Sequence, residues 1–238
     1  MKKDLLKELL EGIEIYARPE QIEKFFVFQK ELLEWNQKFN LTAIEEEEEI
    51  LVKHFFDSLL GMKITGWQSQ GSLLDLGTGA GFPGIPLKIM NPEMNVTLVD
   101  SLQKRISFLE HLVQKLKLTG IQAVHGRAEE MGQNKGYREK FDYVVSRAVA
   151  KLSVLSEYCL PFVKRGGKFL AYKGPEGLEE YNRAQKAIQE LGGNLYEIKD
   201  FVLPKQDSKR LIIVIQKTEL TPGRFPRRPG IPAKKPLE

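Results

Sequence analysis

The chain has 238 residues, of which 42% are apolar and 29% charged, so it can bury the core of one sizeable domain. Its single cysteine, Cys159, excludes an internal disulfide framework and a multi-cysteine metal cage. No stretch reaches the roughly 18–20 apolar residues of a membrane span, and the N-terminus lacks a signal-peptide pattern. We therefore expect a soluble cytoplasmic protein without a metal, with a monomer as the starting hypothesis.

The net charge of +4 is unevenly distributed along the chain. Residues 1–66 carry 9 Lys and Arg against 14 Asp and Glu, whereas residues 67–238 carry 27 against 18. A basic region indicates a polyanionic partner, and nucleic acid is the leading candidate. On charge alone, a basic protein without such a partner is an equal alternative.

The N-terminal residues predict a helical unit. Apolar residues recur at helical spacing in residues 5–13, and Pro19 suits the first turn of a second helix. A third helix is expected over 50–60, and the glutamates of 45–49 in front of it predict a solvated helix start, not a metal site. We assign residues 1–66 to an N-terminal helical cap.

From residue 67 the pattern changes to strands that alternate with helices. The predicted strands are 72–77, 95–100, 121–126, 141–146, 167–173, 195–203 and 210–217. Alternation predicts a mainly parallel α/β sheet, and the last two strands predict an antiparallel hairpin that closes it. We assign residues 67–218 to this Rossmann-like domain and residues 219–238 to a basic, proline-rich arm extended on the surface.

The most informative run is LLDLGTGAGFPG, in which a predicted strand leads through a glycine-rich turn into a helix. Glycine is needed where φ is positive or where the backbone must approach a ligand, so Gly77, Gly79 and Gly81 are candidate cofactor contacts. Asp100 ends the next strand, where a carboxylate can accept hydrogen bonds from ribose hydroxyls, and Ser101 is added on the same argument. The run predicts a site for an adenosine-containing cofactor.

Two features favour S-adenosylmethionine over a dinucleotide. Asp75 lies two residues before the first glycine, where an acid can help to hold the cationic methionine end but would repel a pyrophosphate. The closing antiparallel hairpin is the second feature, because class I methyltransferases differ from dehydrogenases in this respect. A tight strand-to-helix connection without a ligand is the structural alternative.

Motifs along nearly the whole chain match those of one family in the same order. They are EWN at 34–36, NLT at 40–42, HFFDSL at 54–59, LGTGAGFPG at 76–84, LVDS at 98–101, KRISFL at 104–109, RAEE at 127–130, SRAVA at 146–150 and FPRRPG at 225–230. In these motifs the chain resembles the RsmG (GidB) family of bacterial 16S ribosomal RNA guanine-N7 methyltransferases. The resemblance implies a class I fold with an N-terminal helical cap, S-adenosylmethionine as the donor, and N7 of one guanine in the 530-loop region as the acceptor.

The resemblance also implies site residues. Gly77 and Phe82 would contact the cofactor from the first loop, and Ala128 and Glu129 would border its adenine. Arg147, at the end of the fourth predicted strand, would lie at the mouth of the site, where it would bind the cofactor and position the guanine. Ligands of such sheets bind outside the carboxyl ends of the strands, where these residues fall. Because guanine N7 carries a lone pair and no proton, we expect no general base.

Basic side chains are the candidates for contact with the implied partner, which is 16S rRNA, the small ribosomal subunit or an assembly intermediate. They are Lys104, Arg105, Lys173, Arg224, Arg227 and Arg228. Solvation of their helix is the alternative role for Lys104 and Arg105, and docking of the arm onto the protein's own fold is the alternative for its arginines. A structural ion pair is the alternative for Arg147 and Lys173. His54 lies in an apolar helical stretch and is expected to be a satisfied interior histidine.

Two other functions stay open at this point. The first is a methyltransferase for a small molecule or a protein, against which the basic tail argues weakly. The second is a cofactor-binding module that interacts with RNA without turnover. Cys159, set among apolar residues, predicts a buried side chain and argues against a cysteine-nucleophile mechanism.

Overall fold

The computed structural model describes residues 2–147, 149–205 and 208–237. The strands are β1 (Gly71–Leu76), β2 (Met94–Asp100), β3 (Ile121–His125), β4 (Phe141–Arg147), β5 (Val163–Lys173), β6 (Gly193–Leu203) and β7 (Ser208–Lys217). The α-helices are α1 (Lys2–Glu11), α2 (Pro19–Phe39), α3 (Glu47–Glu49), α4 (Asp57–Leu59), α5 (Gly84–Met90), α6 (Gln103–Lys115), α7 (Ala128–Met131), α8 (Leu152–Cys159), α9 (Gly177–Glu190) and α10 (Ile231–Lys234). None of the described helices is long and apolar enough to cross a membrane.

The described strands form one sheet in the order β3-β2-β1-β4-β5-β7-β6. Strands β1 to β5 are parallel to one another, and β7 is antiparallel to both of its neighbours. The prediction of a mainly parallel sheet closed by an antiparallel hairpin is confirmed. Within the hairpin, β7 lies next to β5, so β6 lies at the edge of the sheet.

Helices cover both faces of this sheet, and each face has its own apolar cluster. Successive residues of a strand point to opposite faces, so Leu73 belongs to the cluster under the cap, α5 and α6, whereas Leu74 belongs to the cluster under α8 and α9. Parallel strands that are buried on both faces have nearly continuous apolar sequences, as β1 does.

The cap packs against the sheet domain through a shared core. Phe28 of α2 stacks on Phe82 of the glycine loop with ring centroids 4.9 Å apart, and the Gln21 amide donates to the carbonyl of Ile89 over 2.8 Å. The expected third helix is irregular: a π-helical segment, Ile50–Phe56, separates α3 from α4. The domain boundary at residue 66 stays a prediction.

The C-terminal arm differs from the extended surface segment that we expected. Phe225 is only 2% exposed and joins the apolar cluster under α8 and α9. The Arg138 guanidinium donates to the carbonyls of Thr221 and Phe225 over 2.6 and 2.7 Å. The expectation was wrong because one buried aromatic anchor and donors to the arm's carbonyls offset the cost of ordering it. The boundary at residue 218 stays a prediction.

Candidate functional site

The glycine loop is held against the carboxyl ends of β1 and β2. The backbone N–H groups of Gly77 and Thr78 both donate to the carbonyl of Val99, over 2.9 and 3.0 Å. Gly77 has φ +70°, and a Cβ atom there would lie 2.6 Å from Val149. Only glycine therefore lets the loop pass this close to the segment that follows β4.

Asp100 is held in place mainly by backbone donors. Its carboxylate accepts from the N–H of Gly79 over 2.9 Å and from the N–H of Leu102 over 3.0 Å. The guanidinium of Arg105 lies 3.1 Å from the same carboxylate. We expected Arg105 to contact RNA, and its position is a correction, because the Asp100 carboxylate attracts it into the pocket at this loop.

These residues border a cavity of about 390 Å³, which we call the glycine-loop pocket. Its lining consists of Leu76, Gly77, Val99, Asp100, Ser101, Arg105, Gly126, Arg127, Ala128, Glu129, Val149 and Tyr158. The structure thus brings the predicted cofactor residues Gly77, Asp100, Ser101, Ala128 and Glu129 together. The sequence analysis missed Tyr158, since α8 carries no motif that marks it.

Asp75 is fully buried under the loop and does not line the pocket. Its Oδ2 accepts from the hydroxyl of Thr78 over 2.6 Å and from the N–H of Gly84 over 2.8 Å. Burial raises the pKa of this carboxyl to about 7. The other oxygen, Oδ1, has no hydrogen-bond partner among the described residues. Asp75 therefore shapes the loop, which corrects the expected direct contact with the methionine end.

The remaining loop residues also act from outside the pocket lining. Gly79 contributes its N–H to Asp100, and the N–H of Gly81 closes a turn onto the carbonyl of Thr78 over 2.9 Å. The ring of Phe82 is buried against the cap, with its centroid 4.4 Å from that of His54. The Phe82 side chain is thus packed against the cap, which offers it two stacked rings, and the expected contact of Phe82 with the cofactor stays a prediction.

A second cavity, of about 640 Å³, lies between the cap and the sheet, and we call it the cap pocket. Its lining consists of Ile44, Lys53, His54, Asp57, Arg147, Val149, Ala150, Tyr172, Lys173, Gly174, Glu180 and Arg210. Val149 lines both cavities. The two pockets therefore adjoin at this residue, at the carboxyl ends of the strands.

One buried carboxylate organises the cap pocket. Asp57 is 3% exposed, with its Oδ2 2.8 Å from Arg147 Nη1 and its Oδ1 3.2 Å from Arg210 Nε. The N–H of Asp57 still donates into the π-helical segment, to the carbonyls of Val52 and His54. The pairing of Asp57 with Arg147 and Arg210 could not be found from the sequence, because the three residues come from separate elements.

His54 is a neutral interior histidine, as expected. Arg147 can only donate, so the contact of its Nη2 with His54 Nδ1 over 3.2 Å requires a lone pair on Nδ1. The proton then lies on Nε2, which donates to the Thr42 hydroxyl over 2.8 Å. Burial and the charge of Arg147 lower the pKa of His54 to about 3.

Two of the lysine candidates for RNA contact are engaged within the protein. Lys173 lies 2.7 Å from Glu180 and donates to the carbonyl of Ala150 over 2.6 Å. Lys104 donates to the carbonyl of Phe39, the last residue of α2, over 3.1 Å. A helix C-terminus carries partial negative charge, which explains the position of Lys104. Lys173 is therefore held inside the protein, whereas Lys104 remains exposed and its contact with RNA stays a prediction.

The arginines of the arm divide into paired and exposed side chains. Arg227 Nη2 lies 2.6 Å from Glu157, and Arg224 Nη2 lies 2.8 Å from Glu190. Arg228 is exposed. The expected phosphate contact by Arg227 is corrected, because the buried carboxylate of Glu157 binds its guanidinium. Among the described residues no group of His, Cys, Asp and Glu could hold a metal ion.

Solved structures share this fold at low sequence identity. The YcgJ protein of Bacillus subtilis matches with a TM-score of 0.53 and 14% identity, over 70% of this chain and all of that one. A 16S rRNA adenine-N1 methyltransferase of Catenulisporales acidiphilia, solved with its cosubstrate SAM, matches with a TM-score of 0.51 and 15% identity, over 63% of this chain and 86% of that one. These likenesses show the fold alone.

The family is shown by sequence. The model described as "rRNA small subunit methyltransferase G" matches residues 21–211. The ribosomal RNA small subunit methyltransferase G of Alkaliphilus oremlandii is 52% identical over 236 residues, 99% of both chains. That of Desulforamulus reducens is 51% identical over 232 residues, 98% of this chain and 97% of the other. The chain belongs to the ribosomal RNA small subunit methyltransferase G family.

Proposed function

We propose that this chain transfers the methyl group of S-adenosylmethionine to N7 of one guanine in 16S rRNA, in the 530-loop region. The family supports an rRNA methyltransferase. The observation that carries the assignment of sites is that the glycine-loop pocket and the cap pocket adjoin at Val149. Methyl transfer needs a donor and an acceptor in contact, and two adjoining pockets provide this.

The glycine-loop pocket fits S-adenosylmethionine. The carboxylate of Asp100 is an acceptor for ribose hydroxyls, and Ser101, Ala128 and Glu129 line the same cavity. When bound, the cofactor supplies an electrophilic methyl group on a sulfonium. The protein's residues bind it and exclude water.

The cap pocket fits a guanine with its phosphate. Arg147 can donate to O6 of the base or to a phosphate oxygen, and Arg210 adds a second cation held by the same Asp57 carboxylate. In the transfer, the N7 lone pair forms the new bond to carbon while the electrons of the carbon–sulfur bond return to sulfur. The positive charge passes to the base, so Arg147 positions the acceptor and does not stabilise the product.

No proton has to leave guanine N7, and the described lining of the cap pocket agrees with base-free chemistry. The Nδ1 lone pair of His54 is used by Arg147, and the pKa of the ring is lowered to about 3. Asp57 is paired with arginine and Glu180 with Lys173. Catalysis then rests on holding donor and acceptor in line.

Radiolabelled S-adenosylmethionine tests the proposal when the protein is incubated separately with 30S subunits, naked rRNA and total protein. We expect label in the RNA, at a guanine that becomes sensitive to borohydride and aniline because N7-methylation labilises its ring. Label in the protein fraction would favour the alternative acceptor. Binding of the cofactor without transfer to any fraction would favour an RNA-interaction module. The monomeric state and the cytoplasmic location stay predictions.

The pH dependence tests the base-free step separately. With saturating cofactor and bound RNA, the single-turnover rate should be nearly flat from roughly pH 6 to 9, because no essential base titrates there. The pKa of His54, about 3, lies well below this range. A rise of unit slope with pH would contradict N7 as the acceptor and point to an atom that must lose a proton.

A further inference from the structure

The C-terminal arm lies beyond residues 21–211, which the family model matches, yet it reaches the glycine-loop pocket. The N–H of Gly230 donates to Glu129 Oε1 over 3.0 Å. Glu129 is 8% exposed and lines the pocket on the side assigned to the adenine. A group of the arm therefore orients a carboxylate of the proposed cofactor site.

A second link joins the arm to the same pocket through α8. Arg227 binds Glu157 three ways: its Nη2 lies 2.6 Å from Oε2, while its Nε and its backbone N–H lie 2.9 and 2.8 Å from Oε1. Glu157 is 1% exposed, and the next residue, Tyr158, lines the pocket. Because a buried carboxylate without its partner is costly, the position of Arg227 and that of this turn of α8 depend on each other.

The first part of the arm is anchored independently of these two links. Phe225 is buried in the apolar cluster under α8 and α9. The amide of Gln133 donates to the carbonyls of Gly223 and Pro226 over 3.2 and 3.0 Å. With its first part anchored in this way, the arm places Arg227 against Glu157 and Gly230 against Glu129. Both residues of the arm therefore contact carboxylates of the protein itself.

We propose that the arm is a positioning element of the cofactor site: Gly230 and Arg227 hold Glu129 and the Tyr158 turn in the arrangement that binds the adenosine of S-adenosylmethionine. This inference rests on the proposed function for the identity of the cofactor. A preorganised site binds its ligand more tightly than one that must be ordered first. By linkage, the bound cofactor then tightens the arm by the same factor.

The first test compares full-length Arg227→Met with the matched control Arg228→Met, whose parent side chain is exposed. Titration calorimetry with S-adenosylhomocysteine measures the affinity of each folded protein. We expect Arg227→Met to bind about tenfold more weakly and Arg228→Met to stay within about twofold of wild type, the usual range for coupled sites. Equal affinities of the two variants would overturn this inference but leave the proposed function standing. A wild-type chain that fails to bind would overturn the proposed cofactor as well.

Hydrogen exchange of the arm gives a readout that a merely structural role would not change. With saturating S-adenosylhomocysteine, amide exchange in the peptide around Gly230 should slow by about fivefold in wild type. Glu129→Gln keeps an acceptor oxygen and should preserve this ligand-dependent slowing, whereas Glu129→Ala should abolish it. The coupling between the arm and the cofactor site would be contradicted if the exchange rate in wild type did not change with ligand. It would also be contradicted if exchange slowed equally in Glu129→Ala.

The salt dependence of RNA binding distinguishes this positioning role from direct binding of Arg227 to RNA phosphates. Because Arg227 is occupied by Glu157, Arg227→Met should leave the log–log slope of RNA affinity against salt unchanged. A loss of roughly 0.7–0.9 in that slope, together with unaltered affinity for S-adenosylhomocysteine, would assign Arg227 to a phosphate and overturn the inference.

Discussion

The two adjoining pockets hold their key carboxylates in different ways. In the glycine-loop pocket, Asp100 is oriented by backbone N–H groups of nearby residues, Gly79 and Leu102. In the cap pocket, Asp57 is oriented by the guanidinium groups of Arg147 and Arg210, which come from distant parts of the chain. The comparison teaches that a binding site made by one loop can be found as a motif, whereas a site made by ion pairs between elements exists only in the folded protein.

The difference also matches the ligand that we propose for each pocket. The backbone donors to Asp100 carry no full charge, and the one guanidinium beside it, that of Arg105, balances the carboxylate, which suits the neutral ribose. Two arginines around one carboxylate leave a net positive charge at the cap pocket, which suits a nucleotide with its phosphate. Three substitutions of buried carboxylates, one in the cap pocket and two at the glycine loop, test the comparison.

The largest effect is expected from Asp57→Ala in the cap pocket. Breaking a buried ion pair leaves arginine charge without compensation, so the free energy of unfolding should fall by about 3–5 kcal/mol. Urea unfolding measures this, with Glu190→Ala as the control for an ion pair at the surface, where we expect less than about 1 kcal/mol. Asp57→Asn, which retains volume and an acceptor oxygen, should fold and lose methyl transfer while it keeps its affinity for S-adenosylhomocysteine. Parallel loss of both would mean that the pockets are not separate.

Asp100→Ala should have an intermediate effect in the glycine-loop pocket. Loss of the charged acceptor should weaken cofactor binding by roughly 1.5–3 kcal/mol. The unliganded protein should also lose about 1 kcal/mol of stability, because the N–H groups of Gly79 and Leu102 lose their acceptor. Titration calorimetry measures the affinity for the cofactor, and urea unfolding measures the stability of the unliganded protein. Unchanged affinity would show that the ribose lies elsewhere.

The third effect concerns Asp75 and appears only as a dependence on pH. Burial raises the folded-state pKa of this group from 3.8 to about 7. The folded protein therefore holds a proton that the unfolded chain has released, and the stability that this contributes is full below about pH 4 and is lost as pH rises through about 7. Asp75→Asn cannot titrate and keeps an acceptor for Thr78 and Gly84.

The free energy of unfolding of Asp75→Asn relative to wild type should therefore increase by roughly 2–3 kcal/mol between pH 5 and pH 8. Urea unfolding of both proteins at the two pH values measures this, and all other titrating groups cancel because both proteins contain them. A difference that stays constant with pH would show that Asp75 is already ionised at pH 5.

Much of the cofactor site could be predicted because it follows strands in chain order. Gly77 directly follows β1, Asp100 ends β2 and Ala128 lies three residues after β3, and parallel strands end at one edge of the sheet. The predictions failed where a side chain had two possible partners. Arg105 and Arg227 were assigned to RNA, but each lies on a carboxylate of its own protein, since a nearby buried acid binds a guanidinium more strongly than solvent does.

The sequence by itself determined the sheet, the glycine loop and the family, because apolar periodicity, glycine spacing and strand order are local properties of the chain. Only the tertiary structure decided the cap pocket and the course of the arm. Asp57, Arg147 and Arg210 come from three elements, and Gly230 meets Glu129 only after Phe225 is buried. No sequence spacing identifies the partners of an ion pair or a single hydrogen bond between distant residues. Those partners are determined by how the elements pack in the folded protein.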